Sequence, residues 1–239
     1  MIGKLRGKRR FAKLAIMLKF LPIFFLSFVF AASKPASPEN YLAEAKKNYK
    51  PSIPQHAKPL IILDAGHGGS DEGAKVHFFQ EKKITLSTVL LLKKQLEDMG
   101  YRIILTRSRD VYIPLHRRVS IANRTRAVLF VSVHYNASQS KEARGVEVFY
   151  CSGQDTWRTQ ASKKLASAIL SQLVTQTQAE SRGVKAGNFH VIRETEMPAV
   201  LVEAGFITNF DERSSLRDKS YLEKIAKGIA AGIDKYLKS

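Results

Sequence analysis

A chain of 239 residues, 44% hydrophobic and 25% charged, has the length for one medium-sized domain with extra sequence at an end, and such a domain buries a core without covalent staples. Its single cysteine, Cys151, excludes an intramolecular disulfide and a cysteine-rich structural zinc site; it follows a strand-like run and reads as a small residue at the core edge. The net charge of +18 points to an anionic partner, whether nucleic acid, a membrane face or an anionic wall polymer.

Part of that charge belongs to an address. Lys4, Arg6, Lys8, Arg9, Arg10, Lys13 and Lys19 lie before or within an almost wholly apolar run, Leu14 to Phe30, which small residues Ala31, Ala32 and Ser33 follow. Basic, apolar and small segments in that order predict a secretory signal peptide over residues 1–32, with Val29 and Ala31 placed for a cut after Ala31. Lys19 and Pro22 interrupt the run, which is just short of spanning length, so cleavage is favoured over a membrane anchor and no stable span is expected afterwards. Export turns the basic charge away from nucleic acid and towards wall polymers or membrane surfaces. Residues 33–58, rich in Pro, Lys and Ala, read as a flexible tether, and a domain over 59–239 follows. No internal repeat of a wall-binding kind is present, which leans the localisation towards the periplasm rather than the cell exterior.

Within the domain, apolar β-type runs alternate with helical periodicity. Leu60–Leu63 reads as a buried strand leading into the glycine-rich loop Asp64–Ala74, and apolar spacing predicts a helix over Ile84–Met99, closed by Gly100. Arg102–Thr106 is expected as a strand, Leu115–Arg126 as a helix, and Val128–Val133 and Gly145–Tyr150 as strands. Thr159–Leu173 reads as a helix, Val191–Ile192 and Ala199–Glu203 as strands, and Tyr221–Leu237 as an amphipathic terminal helix. The alternation predicts a single α/β domain whose central, mostly parallel twisted sheet is covered by helices on both faces.

Polar groups collect where strands end, which is where sites form in open α/β sheets. Asp64-Ala65-Gly66-His67 follows the first strand, His134-Tyr135-Asn136 ends the Val128 strand, Glu203 ends the Ala199 strand, and Glu81 precedes the first helix. Two histidines and a carboxylate are a usual ligand set for catalytic zinc, and a further carboxylate serves as proton carrier. Each residue also has a plainer reading: His67 as a loop residue, His134 as a satisfied core histidine, Glu81 as a helix-dipole partner. Glu203 is the hardest to dismiss, since a buried carboxylate is costly without a partner. His56, His77 and His116 are assigned to solvent, and His190 stays unplaced near the cleft.

The motifs ILDAGHGGSDEGA, QEKKITL, LTRSRD with LHRRVSIAN, SVHYNA and RGVKAGNFHVIRETEMPAVLVEAGFITN together resemble the zinc-dependent N-acetylmuramoyl-L-alanine amidases, over Leu60 to the carboxyl terminus. The resemblance implies one catalytic Zn2+ held by His67, Glu81 and His134, with Glu203 as the catalytic glutamate. It further implies hydrolysis of the amide between the lactyl group of N-acetylmuramic acid and L-alanine of the peptidoglycan stem peptide, in wall remodelling or daughter-cell separation. Peptidoglycan is then the partner, with an activator protein of the division machinery as a further one. Tyr135 departs from the family pattern, where a small residue is usual, and Lys83 stands where an acid is common; these bear on substrate preference. The stretch from Tyr150 to Ala161 is short, without room for a helix that plugs the site. Two rival readings use the same residues: a zinc peptidase acting on stem-peptide cross-links, and an inactive peptidoglycan-binding domain.

Overall fold

The computed structural model of the chain describes residues 58–153 and 155–239; the expected signal peptide and almost all of the tether lie outside them. Among the described residues, eight strands and six helices follow in order. β1 (Leu60–Ala65), β2 (Lys75–Val76), β3 (Phe79–Gln80), α1 (Glu81–Asp98), β4 (Arg102–Leu105), α2 (Leu115–Asn123) and β5 (Leu129–Asn136) form the first half. β6 (Val146–Tyr150), α3 (Thr156–Thr177), β7 (Ser181–Ala186), α4 (His190–Glu194), β8 (Ala199–Phe206), α5 (Phe210–Ser215) and α6 (Lys219–Leu237) form the second. Six strands make one sheet in the order β4-β1-β5-β8-β6-β7, and β2 pairs with β3 as a separate hairpin. β4, β1, β5 and β8 run parallel. β6 is antiparallel to β8 and carries β7 alongside it in its own direction, so the sheet is mostly parallel, as expected.

Helices on both faces explain why the central strands are apolar throughout rather than alternating. Ile61, Leu63, Val131, Val133, Val200 and Val202 enter the larger core, shared with residues of α1, α3 and α6. Ile62, Phe130, Ala199 and Leu201 face the other way into a smaller cluster with Ala122 of α2 and Val191 and Ile192 of α4. The terminal helix buries Leu222, Ile225, Ala226, Ile229, Ala230 and Ile233, the three-and-four spacing of an amphipathic stripe. Each of the leucine and isoleucine side chains contributes about 1.5–3 kcal/mol on burial. Asp218 caps that helix by accepting from the Ser220 backbone N–H. Cys151 is buried in the smaller cluster.

Several boundaries differ from the sequence reading. Val191–Ile192 is not a strand but the centre of α4. Two apolar residues carry no period, and a long-range contact decides the outcome: Arg158 of α3 donates to the carbonyls of Ile192, Arg193 and Thr195, satisfying the end of a short helix. β7 was not expected, because SRGVKA is polar and interrupted by Gly183; it is held as an edge strand by β6 alone. The first helix begins at Glu81 rather than Ile84, since its first N–H groups find loop carbonyls: Glu81 donates to Ala74 at 2.9 Å and Lys82 to Glu72 at 3.2 Å.

Candidate metal centre

β1, β5 and β8 end side by side, and the residues at their ends share the face of the smaller core. Along β5 the odd positions Val131, Val133 and Tyr135 enter the larger core, so pleat alternation sends Ser132 and His134 to the opposite face. His134 is the register partner of Glu203, and Glu203 is the register partner of Glu147. A histidine and two carboxylates therefore stand in one row across three strands. His67 comes from the loop after β1, and Glu81 reaches in from the first residue of α1.

The imidazoles of His67 and His134 and the Glu81 carboxylate converge. Each offers a ligand atom, and these atoms lie within 4.8 Å of one another. His67 Nε2 is 3.1 Å from Glu81 Oε2, His134 Nδ1 is 3.0 Å from Glu81 Oε1, and the two rings meet edge to face at 4.9 Å. The remaining acceptor capacity of Glu81 is taken by backbone: Ala74 N–H donates to Oε2 at 2.8 Å and Tyr135 N–H to Oε1 at 3.0 Å. Burial works to raise the Glu81 carboxyl, but the donors from His134 and His67 hold it well below the usual carboxylate range. It is thus an anion at neutral pH. On the far side of His67, Nδ1 lies 2.9 Å from Asp71 Oδ2; with the Nδ1 proton held by Asp71, Nε2 would offer its electron pair to a metal in place of its contact with Glu81.

Two glycines of the quoted motif exist for close approach. A Cβ on Gly66 would stand 2.3 Å from the His134 ring, and one on Gly73 would stand 2.6 Å from both Glu81 Oε2 and the His67 ring. Any side chain at either position would push a ligand out of place.

Behind the loop lies a buried polar scaffold to which the sequence reading gave no role, although its residues stand in quoted motifs. Asp64, 1% exposed, accepts from Arg118 Nη1 at 2.7 Å and from the hydroxyls of Thr106 and Ser132 at 2.6 Å. Burial alone would raise the Asp64 carboxyl, but the Arg118 guanidinium and those hydroxyls hold it below its ordinary value. Arg118 also donates to the carbonyls of Ala65 and His67, and Arg107 to those of Ala65 and Gly66, all at 2.7–2.9 Å. Two buried arginines thus pin the backbone that carries His67. The available signal was the polar register of the strand ends together with arginines in LTRSRD and LHRRVSIAN.

Glu203 differs from Glu81. Its Oε2 is sealed from solvent and has no hydrogen-bond partner among the described residues. Burial first, then the carboxylates of Glu81 and Glu147, push its carboxyl well above the usual range. A buried carboxyl with raised proton affinity, one strand from a histidine of the cluster, has the chemistry of a proton carrier.

Tyr135 does not bear on the cleft in the way its side chain suggested. Its ring is buried on the opposite face, with the hydroxyl 2.6 Å from Thr88 Oγ1, and what reaches the cluster is its backbone N–H. Lys83 points to solvent. His190 lies in α4 with Nδ1 3.3 Å from Arg193 and is not part of the cluster.

An α/β sheet that gathers a His–Glu–His group and a buried carboxyl at the ends of its parallel strands defines the class of metal-dependent hydrolases. Residues 61–235 match the family model described as N-acetylmuramoyl-L-alanine amidase, and the chain belongs to that family. It is 39% identical over 186 residues to the uncharacterised protein YqiI of Bacillus subtilis, covering 76% of this chain and 88% of the relative. It is 36% identical over 176 residues to the N-acetylmuramoyl-L-alanine amidase LytC of the same organism, covering 74% of this chain but 35% of LytC, so the chain spans about a third of that longer protein. The solved structure of the CwlD amidase from Clostridioides difficile, in complex with the GerS lipoprotein, superposes with a TM-score of 0.71 at 34% identity, covering 76% of this chain and 99% of CwlD.

Proposed function

We propose that the chain is an exported zinc-dependent N-acetylmuramoyl-L-alanine amidase, hydrolysing the bond between the lactyl carbonyl of N-acetylmuramic acid and the L-alanine nitrogen of the peptidoglycan stem peptide. The observation that carries this reading is the buried, unpartnered carboxyl of Glu203 beside the His67–Glu81–His134 group.

The residues present fit a zinc ion. Two imidazoles and one carboxylate match its preferred donors and leave a position for substrate, and Asp71 supplies the outer hydrogen bond that a ligating histidine usually makes. Bound there, zinc supplies Lewis acidity, polarising the amide carbonyl and lowering the pKa of water towards neutrality. Glu203 takes the proton from the attacking water. It then returns that proton to the alanine nitrogen, because an amine anion cannot depart at neutral pH. Its raised proton affinity suits this carrier role, and zinc held beside it would draw the carboxyl back towards the ionised form that accepts the first proton.

Residues 1–32 are proposed as the signal peptide and 33–58 as the tether, with the domain acting in the periplasm on cell-wall remodelling or cell separation. The lipoprotein bound to CwlD supports an accessory protein partner here too. Only residues 151–155 separate β6 from α3, which supports a site open to substrate.

The test is digestion of purified peptidoglycan by the chain lacking residues 1–32, with and without a chelator, followed by mass spectrometry. Free stem peptides with intact L-alanine amines, lost on chelation and restored by zinc, are expected. Chelator-sensitive cuts within the peptides would replace this reading with a peptidase, and wall binding without any cleavage would replace it with a binding domain.

A further inference from the structure

His67 takes its place in the cluster in a backbone conformation that residues with a Cβ avoid. Its φ is 61°, in the left-handed region where residues other than glycine are uncommon. Such a conformation persists only where the surroundings over-determine it. Here the surroundings include two arginine side chains. Arg118 takes the carbonyls of Ala65 and His67 and has Asp64 as its buried counter-charge. Arg107 is placed differently, because it reaches a second element as well.

Arg107 stands two residues beyond β4 and is 3% exposed. Its partners are backbone carbonyls and one hydroxyl, and it makes no ion pair among the described residues. A buried cation without a counter-charge is costly, so packing alone does not account for it. One nitrogen, Nη2, donates to the carbonyl of Gly66 at 2.7 Å and to that of Lys82 at 2.8 Å, and lies 3.0 Å from Thr85 Oγ1. Gly66 directly precedes His67, and Lys82 directly follows Glu81. Thr85 closes the same junction by donating to the Gly66 carbonyl at 2.8 Å. Lys82 Nζ adds a bond to the carbonyl of Gly69, further along the loop, at 2.7 Å. The loop lies so close to the arginine stem that a Cβ on Gly68 would stand 2.9 Å from Arg107 Cδ.

We propose that Arg107 is a positioning residue for the metal centre: by joining the Gly66 carbonyl to the Lys82 carbonyl through one nitrogen, it sets the span between His67 and Glu81 and holds His67 in its left-handed backbone. This rests on the reading that His67, Glu81 and His134 hold zinc. The span is short, 3.1 Å between His67 Nε2 and Glu81 Oε2, although one ligand comes from the loop after β1 and the other from the start of α1. Ligands from separate elements keep such a spacing when the residues behind them are themselves locked by hydrogen bonds. The fork of a guanidinium presents its donors in fixed directions, whereas an ammonium is a point charge on a flexible stem. Arg107→Lys therefore keeps the charge but loses the fork, and the junction between loop and helix loosens.

In the experiment the metal-free full chain, as wild type and as Arg107→Lys, is titrated with zinc against a chromophoric chelator. A second titration uses cobalt(II), which the same nitrogen and oxygen donors bind and whose visible absorption reports how they are arranged. Urea unfolding of the same samples gives the folded fraction. For Arg107→Lys, zinc affinity per folded molecule is expected to fall about 10–100-fold, and the cobalt band at saturation to shift or weaken. A merely structural role would lower the urea midpoint and leave the affinity per folded molecule and the saturated cobalt spectrum as in wild type. That result overturns the proposal, as does a variant unchanged in all three readouts. If Arg107→Lys does not fold, Thr85→Val decides. It removes the hydroxyl that donates to Gly66 and receives from Arg107, so zinc affinity should fall about threefold or more; unchanged affinity overturns the proposal. The underlying readings fail separately. Wild type that binds no zinc ends the metal reading and the proposal with it. Wild type that binds zinc but releases no stem peptides ends the amidase reading alone, and a weakened Arg107→Lys site still supports the positioning role.

Discussion

Replacing Glu203 by glutamine should stabilise the metal-free protein while removing its turnover. The Oε2 atom is buried without a hydrogen-bond partner among the described residues, and burial, with Glu81 and Glu147 adding to it, holds the carboxyl pKa well above 4.5. An unsatisfied buried polar group costs about 1–3 kcal/mol, and a charged one more. Because the folded state raises the pKa of this acid, it binds more protons than the unfolded chain between the two pKa values. The contribution of Glu203 to stability therefore falls as pH rises through that window, by up to about 1.4 kcal/mol per pH unit. Glutamine keeps the shape and cannot ionise, so the variant should match wild type near about pH 4.5 and exceed it increasingly above. At neutral pH a gain of about 1–3 kcal/mol is expected, and each kcal/mol corresponds to about 2–4 °C in Tm for a domain of this size. Urea titrations of metal-free wild type and Glu203→Gln across this pH range measure it directly. A variant less stable than wild type at neutral pH, or a difference independent of pH, would refute the reasoning. Zinc should narrow the gap by compensating the carboxylate, while turnover of the zinc-loaded variant falls by about 100-fold or more.

Three other perturbations follow from the same geometry. Asp71→Ala removes the hydrogen bond to His67 Nδ1 and should weaken zinc binding about 10–100-fold in competition with a chromophoric chelator; unchanged affinity would mean the His67 ring is held by packing alone. Gly66→Ala places a methyl 2.3 Å from the His134 ring, so metal content should fall well below one equivalent while far-UV circular dichroism stays native. Arg118→Met strands Asp64 without its buried counter-charge and should cost about 3–5 kcal/mol in urea unfolding; a loss below about 1 kcal/mol would show that the hydroxyls of Thr106 and Ser132 suffice. The same pair predicts acid lability in wild type, because a depressed carboxyl contributes stability above its unfolded pKa and loses it as pH falls through the folded one.

Much of this protein is determined by its sequence alone. Wholly apolar runs at Leu60, Val128 and Ala199 specify strands buried on both faces, and the stripe of α6 specifies a helix on a sheet, because these patterns report local period and burial. His67, His134 and Glu203 could be named as candidates since they follow apolar runs, and Glu81 since it precedes a helix; their roles came from the resemblance of the motifs. Tertiary structure alone decided the rest. Val191 and Ile192 became helical through Arg158, more than thirty residues away in the chain, and β7 exists only because β6 offers it an edge. Glu81 heads its helix because carbonyls of the preceding loop take its first N–H groups. The scaffold of Asp64, Arg107 and Arg118 joins residues 42–54 positions apart in sequence, and the row from His134 through Glu203 to Glu147 crosses three strands. Such contacts leave no local period in the chain. Sheet register and long-range charge pairing bring them together, and both are properties of the folded molecule.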